Sequence, residues 1–235
     1  MRTLLLLWLL VYRSCALEIL FDFIHVSGMG FHSTTETNAS VTTKSLCSCR
    51  QQCFSQSFCN AWTASKVNAH YECHFSIHGP QPPTSPSPQP GAVYSYKITG
   101  LSSKTGVHER TDGHIYFVPD ERLEFSTAIN YCQNIPGFQL AILKTREQIE
   151  IAKTISSQIQ ESLHIHLTHK DPSTQIWGDG TELTGDLKDL VKSLSCSLIS
   201  NIGTTYRVKD SGIHIICSRR IRYFLCQSKT DNGLQ

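Results

Sequence analysis

Residues 125–143 have the sequence FSTAINYCQNIPGFQLAIL and contain the clearest structural pattern in the chain. The first half predicts a helix, because four residues recur at helical spacing on one stripe: Phe125, Ala128, Ile129 and Cys132. Gly137 then indicates a turn, and the apolar residues after it indicate a strand. The stretch therefore predicts a helix, a turn and a strand in close succession.

A second helix is predicted over 145–159, directly after this strand. Its apolar residues recur at intervals of three, three and four: Ile149, Ala152, Ile155 and Ile159. Thr145 stands three residues before Gln148, the spacing of a capping box, in which each side chain bonds the other residue's backbone N–H. Strand-like segments follow at 164–168, 175–177, 205–208, 213–217 and 223–226.

This order of elements over 111–228 resembles a C-type lectin-like domain, which has two helices and small mixed sheets. The 125–143 stretch matches the family's aromatic-xxA-xxxC…G-x-x-LA pattern, and Trp177-Gly178-Asp179-Gly180 matches its W-x-D-G turn. Glu147-Gln148 falls where the family's second helix begins, and Tyr223-Phe224-Leu225 falls in its last strand. The resemblance implies two disulfides, Cys132–Cys226 and Cys196–Cys217.

The calcium motifs of that family are absent from this chain. Ca²⁺ needs six to eight oxygen ligands, and the family supplies them from Glu-Pro-Asn or Gln-Pro-Asp and from Trp-Asn-Asp. The segment TELTGDLKDLVKSLS at 181–195 lacks the first triplet, and Gly212-Ile213-His214 stands in place of the second. We therefore expect no calcium and no other cofactor. The nearest acids are expected to be ordinary solvated charges: Glu182, Asp186, Asp189 and Asp210.

A ligand could still bind through loop 181–195 and strand 204–210, either as a sugar without calcium or as a protein surface. The candidate residues are Glu182, Asp186, Tyr206, Arg207, Lys209 and Asp210. Strand alternation places Tyr206 on the face opposite Arg207. The sequence is equally compatible with Tyr206 contacting a ligand and with Tyr206 packing into the core.

The N-terminal half has a second cysteine-rich pattern over 17–99. A helix is predicted at 45–57, with strands at 59–65 and 71–77. The pattern CxxxCxxxxxCxAW…C resembles a PAN/apple domain, a helix on an antiparallel sheet. That resemblance implies Cys49–Cys73 and Cys53–Cys59. Cys47 has no place in the pattern, although it could replace Cys49; we expect a free thiol or a disulfide-linked homodimer through it.

A proline-rich segment at 79–91 contains six of the nine prolines and favours extended backbone. We interpret it as a loop inside the first domain, because AVYSYKI at 92–98 alternates like a strand that needs a partner. An interdomain linker is the alternative interpretation. The polar residues 100–110 are then predicted as the linker, and 229–235 as a tail.

Residues 1–16 have the pattern of a secretory signal peptide. Arg2 precedes an apolar core from Leu4 to Tyr12, and Ser14-Cys15-Ala16 supplies small residues before the cut. Cleavage would remove Cys15 and leave nine of the ten cysteines, which a secreted protein keeps as disulfides. The sequon at Asn38 predicts a glycan on an exposed loop. We therefore expect a secreted, extracellular glycoprotein.

Composition excludes several classes of protein. The net charge of +2 does not suit a basic nucleic-acid binder, and no apolar run is long enough to span a membrane. We find no GxSxG, HExxH or phosphate-binding loop and no Cys/His nucleophile pair, so an enzyme is not expected. Two features are weighed as minor alternatives. One is a zinc site among the histidines of 70–78 or 164–169; the other is a basic tip at Arg219, Arg220 and Arg222.

The sequence thus predicts an α+β protein with a PAN/apple-like module followed by a C-type lectin-like domain. The predicted function is non-catalytic recognition of carbohydrate or microbial surface patterns without the usual calcium site. The alternative is a protein-binding lectin-like module, an adaptor or ligand with no sugar binding. The expected partner is accordingly a glycan or an extracellular protein, with no nucleic acid.

Overall fold

A computed structural model describes residues 23–30, 39–80, 86–101, 103–104, 107–109, 112–171, 174–192, 205–216 and 221–228. The chain divides into two compact units, the first of which ends at Leu101. Several sequence predictions fall outside the described residues: the signal peptide 1–16, the sequon at Asn38, the bridge Cys196–Cys217, the first two arginines of the basic tip (Arg219 and Arg220) and the tail 229–235.

In its described residues, the first unit contains one α-helix and a five-stranded antiparallel sheet, in the order β1-β5-β3-β4-β2. The helix α1 spans Leu46–Ser55 and contacts the β2, β3 and β4 strands. The strands are β1 (Phe23–Gly30), β2 (Ala39–Thr43), β3 (Ala61–Val67), β4 (His70–Ser76) and β5 (Ser87–Lys97).

Two disulfides fasten α1 to this sheet. Cys49–Cys73 joins the helix to β4, and Cys53–Cys59 joins it to the residues just before β3. These are the pairs that the PAN/apple resemblance implies, although membership of that family stays a prediction. All four sulfurs belong to a cluster of buried residues with Phe23, Trp62 and Phe75.

The prediction of a free thiol at Cys47 is wrong. Cys47 is disulfide-bonded in this structure. A disulfide-linked homodimer of the chain stays a prediction.

The proline-rich segment is only partly a loop, because β5 begins at Ser87 rather than at Ala92. Pairing with β3 ends at Ala92, so residues 87–91 have a single neighbouring strand, β1. A proline lacks the N–H that a second neighbour would need, and it is tolerated where one side of a strand is unpaired. Pro88 accordingly pairs with Met29 in the β1–β5 register.

The predicted linker at 100–110 is also corrected. A 3-10 helix, Ile98–Gly100, ends the first unit. Shortly afterwards the backbone N–H of Lys104 donates to the Val118 carbonyl at 2.8 Å, and β6 (Val107–Glu109) pairs with β7 (Ile115–Phe117). These residues belong to the second unit. A three-residue strand is too short to show a recognisable alternation.

The described part of the second unit combines two α-helices, α2 (Phe125–Asn134) and α3 (Arg146–Ile159), with two sheets. One sheet has the order β6-β7-β15-β8, and the other has the order β10-β9-β12-β13-β11 with β14 beside β9. The remaining strands are β8 (Phe138–Leu140), β9 (Leu163–Asp171), β10 (Thr174–Trp177), β11 (Val191–Lys192), β12 (Thr205–Lys209), β13 (Gly212–Ile216), β14 (Tyr223–Phe224) and β15 (Cys226–Ser228).

The predicted capping box at the start of α3 is confirmed. The Gln148 N–H donates to Thr145 Oγ1 at 3.1 Å, and the Thr145 N–H donates to Gln148 Oε1 at 3.3 Å. The helix buries Ile149, Ala152 and Ile155 against the core, as its spacing predicts. Capping of this kind stabilises a helix start by about 1 kcal/mol.

The disulfide Cys132–Cys226 joins α2 to β15 across 94 residues, as the lectin resemblance implies. Both cysteines are fully buried. The α+β class is confirmed in both units. Within the described ranges, no helix is long and apolar enough to cross a membrane.

One testable consequence concerns His25 in β1, whose ring lies edge-on to that of Trp62. Burial, aided by the charge of Arg50, lowers the pKa of His25 from 6.5 to about 4. The folded state therefore takes up this proton less readily than the unfolded chain does, so acid favours unfolding. Between pH 6.5 and 4 we expect His25 to lower the free energy of unfolding of the first unit by about 3 kcal/mol.

Urea titrations at pH 7, 5.5 and 4 would measure this loss. In the variant His25→Gln, the free energy of unfolding should fall less between pH 6.5 and 4 than in the parent. If it falls by the same amount, groups other than His25 cause the loss of stability.

Candidate functional site

The second unit has an open groove of about 510 Å³ beside the turn that follows β10. Three segments form it: the residues that lead into α3, the turn after Trp177, and a 3-10 helix, Gly185–Leu190. The lining residues are Lys144, Thr145, Arg146, Trp177, Thr181, Glu182, Thr184, Asp186 and Leu187. This groove contains two of the six predicted ligand residues, Glu182 and Asp186.

The W-x-D-G turn provides one wall of the groove. The backbone N–H of Trp177 donates to the Thr181 carbonyl at 2.8 Å, and Asp179 Oδ1 accepts from the Thr181 N–H at 3.1 Å and from its hydroxyl at 2.7 Å. Gly180 has a φ of 84°, which favours glycine. Trp177 is only 2% exposed and anchors the turn in the core.

An ion pair links this turn to the residue that precedes the α3 cap. Lys144 Nζ contacts Asp179 Oδ2. Partial burial alone would raise the pKa of Asp179, but the hydrogen bonds from Lys144 and Thr181 outweigh it, so its pKa is lowered overall. Asp179 is therefore ionised at neutral pH, and the pair holds two walls of the groove together.

The groove is lined by polar side chains of both charges. Lys144 and Arg146 are donors, whereas the exposed carboxylates of Glu182 and Asp186 are acceptors. The described lining contains no histidine, cysteine or serine that could act as a nucleophile with a base. Such a surface can bind a ligand through hydrogen bonds.

The other four candidates lie elsewhere, on the β12–β13 hairpin. Arg207, Lys209 and Asp210 do not line the groove. The structure therefore does not bring the six residues into one site.

Tyr206 is the clearest correction among them. Its side chain is fully buried in the core, and its hydroxyl lies 2.6 Å from His169 Nε2. Strand alternation directs Tyr206 and Val208 inward together, against the other core side chains. A ligand-binding role for Tyr206 is therefore wrong.

The sequence analysis missed Lys144 and Arg146 as groove residues. They flank the Thr145 cap, and a capping signal indicates only where a helix starts. Asp179 belongs to the W-x-D-G turn motif, which by itself does not indicate a binding site. Only the folding of the 144–146 segment against the turn shows that these positions share a groove.

The paired histidines of β9 have a packing role in this structure. The rings of His164 and His166 both lie edge-on to Phe125, at centroid distances of 5.9 and 6.0 Å. Burial lowers the pKa of His166, against the opposing charge of Asp179. In the part of the chain that is described, no three His, Cys, Asp or Glu side chains form a group that could hold a metal ion.

Comparison with known proteins shows a likeness at the level of structure only. The chain matches no protein-family model and no curated protein sequence. It is similar to a C-type lectin, TC14, from the tunicate Polyandrocarpa misakiensis, with 16% identity, 50% of this chain and 99% of that chain covered, and a TM-score of 0.40.

Two further similar structures are carbohydrate-recognition domains of the scavenger receptor C-type lectin. The human domain has 22% identity, with 52% of this chain and 95% of that chain covered and a TM-score of 0.43. The mouse domain has 20% identity, with 52% and 93% covered and a TM-score of 0.40. These structural neighbours of the chain are C-type lectin domains.

Proposed function

We propose that this chain is a secreted, non-catalytic recognition protein that binds carbohydrate in the groove beside Trp177, without a calcium site. The observation that carries the proposal is the mixed lining of that groove. Each sugar hydroxyl both donates and accepts a hydrogen bond. Lys144 and Arg146 can donate to these hydroxyls, and Glu182 and Asp186 can accept from them.

The groove is held in shape before a ligand arrives. The capping box fixes Thr145, the Lys144–Asp179 pair joins two walls, and the buried Trp177 anchors the turn. A fixed site loses little conformational entropy on binding, which improves affinity. This stiffness supports a direct sugar site that needs no ion to organise it.

The charge of the groove favours neutral over acidic sugars. Asp179 balances the charge of Lys144, which leaves Arg146 beside the two carboxylates of Glu182 and Asp186. An anionic ligand therefore gains no net attraction from the groove. We accordingly propose neutral polysaccharides of the microbial-surface type, such as mannan, as the ligand class.

The test is binding of the full mature chain to a glycan array that includes mannan, in calcium and in a chelator. We expect binding in both, and a double variant, Glu182→Gln with Asp186→Asn, should bind at least about tenfold more weakly, which corresponds to about 1.4 kcal/mol. A matched control, Glu72→Gln with Glu121→Gln, removes two exposed carboxylates outside the groove.

Loss of binding in the chelator would refute the calcium-free site. A blank array in both conditions would refute carbohydrate binding altogether. Equal weakening by the groove variant and the control would place the ligand outside the groove.

Recognition of an extracellular protein is the second candidate function. Phe54 and Phe58 in the first unit are 52% and 40% exposed, and exposed aromatic side chains are frequent anchors of protein interfaces. A blank glycan array favours this function.

A further inference from the structure

Two guanidinium groups of the second unit converge on one hydroxyl. Arg207 Nη1 donates to Ser162 Oγ at 3.2 Å, and Arg222 Nη1 donates to the same oxygen at 2.9 Å. The two arginines come from different segments, since Arg207 lies in β12 and Arg222 immediately precedes β14. Two guanidinium groups thus share one neutral acceptor, the Ser162 hydroxyl.

The hydroxyl between them still has a hydrogen to donate. Ser162 is only 6% exposed, and both of its hydrogen bonds to the arginines use its oxygen. Arg207 Nε is buried without a hydrogen-bond partner. Among the ion pairs of the described residues, none involves Arg207. An incoming acceptor would therefore find donors from both the serine and Arg207.

A further cation and an imidazole continue this arrangement along the sheet. Lys209 is exposed and lies two residues beyond Arg207, on the same face of β12. His214 of β13 stands directly opposite Arg207, and directly opposed residues of an antiparallel pair share a face. We call Arg207, Lys209 and Arg222 the cationic strip, which the imidazole of His214 adjoins.

We infer that the cationic strip binds the sulfate ester groups of an acidic polysaccharide, with one sulfate seated on Arg207, Arg222 and Ser162. A sulfate ester presents three terminal oxygens, enough to accept from two guanidinium groups and one hydroxyl together. Arginine suits this role because its planar fork is weakly hydrated and matches an oxyanion. This inference goes beyond the neutral-sugar groove and uses none of its residues.

A polysaccharide suits the strip better than duplex nucleic acid does. Asp210 lies at the hairpin end of the strip, where its carboxylate limits the extent of the positive charge. Duplex DNA or RNA binds a broad basic face, and a chain with a net charge of only +2 has too few surplus cations to form one.

The test is titration of the full mature chain with heparin, with chemically desulfated heparin and with inorganic sulfate. We expect heparin to bind and the desulfated polymer not to bind. The double variant Arg207→Gln with Arg222→Gln should weaken heparin binding at least about tenfold. The matched control, Lys66→Gln with Lys97→Gln, removes two cations from the first unit and should stay within about twofold of the parent.

Two further variants keep the test sharp if the double variant misfolds. Lys209→Gln changes an exposed side chain and should weaken heparin binding about threefold; Ser162→Ala should do the same by removing the hydroxyl donor. Equal loss in the lysine control, equal binding of desulfated heparin, or tighter binding of duplex DNA than of heparin would each overturn the inference. Retention of heparin binding by the Glu182→Gln, Asp186→Asn variant would separate this site from the groove.

Discussion

Replacement of both Cys132 and Cys226 by alanine is expected to lower the free energy of unfolding of the second unit by about 4–5 kcal/mol. The bond closes a loop of 94 residues. In the chain-entropy model, its loss raises the conformational entropy of the unfolded chain and so stabilises the unfolded state. A typical domain is stable by only about 5–15 kcal/mol, so this loss would leave the unit marginal. Urea unfolding under non-reducing conditions, monitored by the fluorescence of Trp177, would measure it.

A second cysteine pair provides the control for loop length. Cys53 and Cys59 are only six residues apart, so their replacement by alanine should destabilise the first unit by about 2 kcal/mol. Equal effects of the two replacements would contradict the dependence on loop length. A loss far below about 4 kcal/mol for the long loop would mean that the unfolded chain is already restricted by other contacts.

Replacement of Trp177 by alanine is expected to lower the free energy of unfolding by about 3–5 kcal/mol, because it removes a large side chain that is 2% exposed. The same change should abolish neutral-sugar binding, since Trp177 lines the groove and anchors its turn. Thermal unfolding and glycan binding would measure the two effects.

Two matched variants separate packing from the site itself. Trp177→Phe retains most of the buried area and should cost less stability than the alanine variant. Phe54→Ala removes an exposed aromatic ring from the first unit and should change stability by no more than about 0.5 kcal/mol. If Trp177→Ala left sugar binding unchanged, the groove would not be the binding site.

Short-range patterns predicted much of the second unit. Thr145 and Gln148 were assigned to a capping box from their spacing alone, and the structure contains both hydrogen bonds. The stripe of α3 likewise predicted burial of Ile149 and Ile155. These features depend on residues within one or two helical turns, so the sequence carries them directly.

Long-range contacts account for the errors. Tyr206 could have faced either side until the packing of its sheet was known, and the strand at Ser87 depends on which neighbour lies beside each proline. The cationic strip joins Arg207 and Arg222 through Ser162, which precedes them in the chain by 45 and 60 residues. No local pattern indicates such a meeting.

Helix caps, helix stripes and the order of elements follow from the amino-acid sequence of this chain, because hydrogen bonding and periodicity act over a few residues. The groove beside Trp177, the pairing of Lys144 with Asp179 and the burial of Tyr206 were decided by tertiary packing alone. The physical reason is that a side chain's exposure and charge partners depend on distant segments, which only the folded sheets bring into contact.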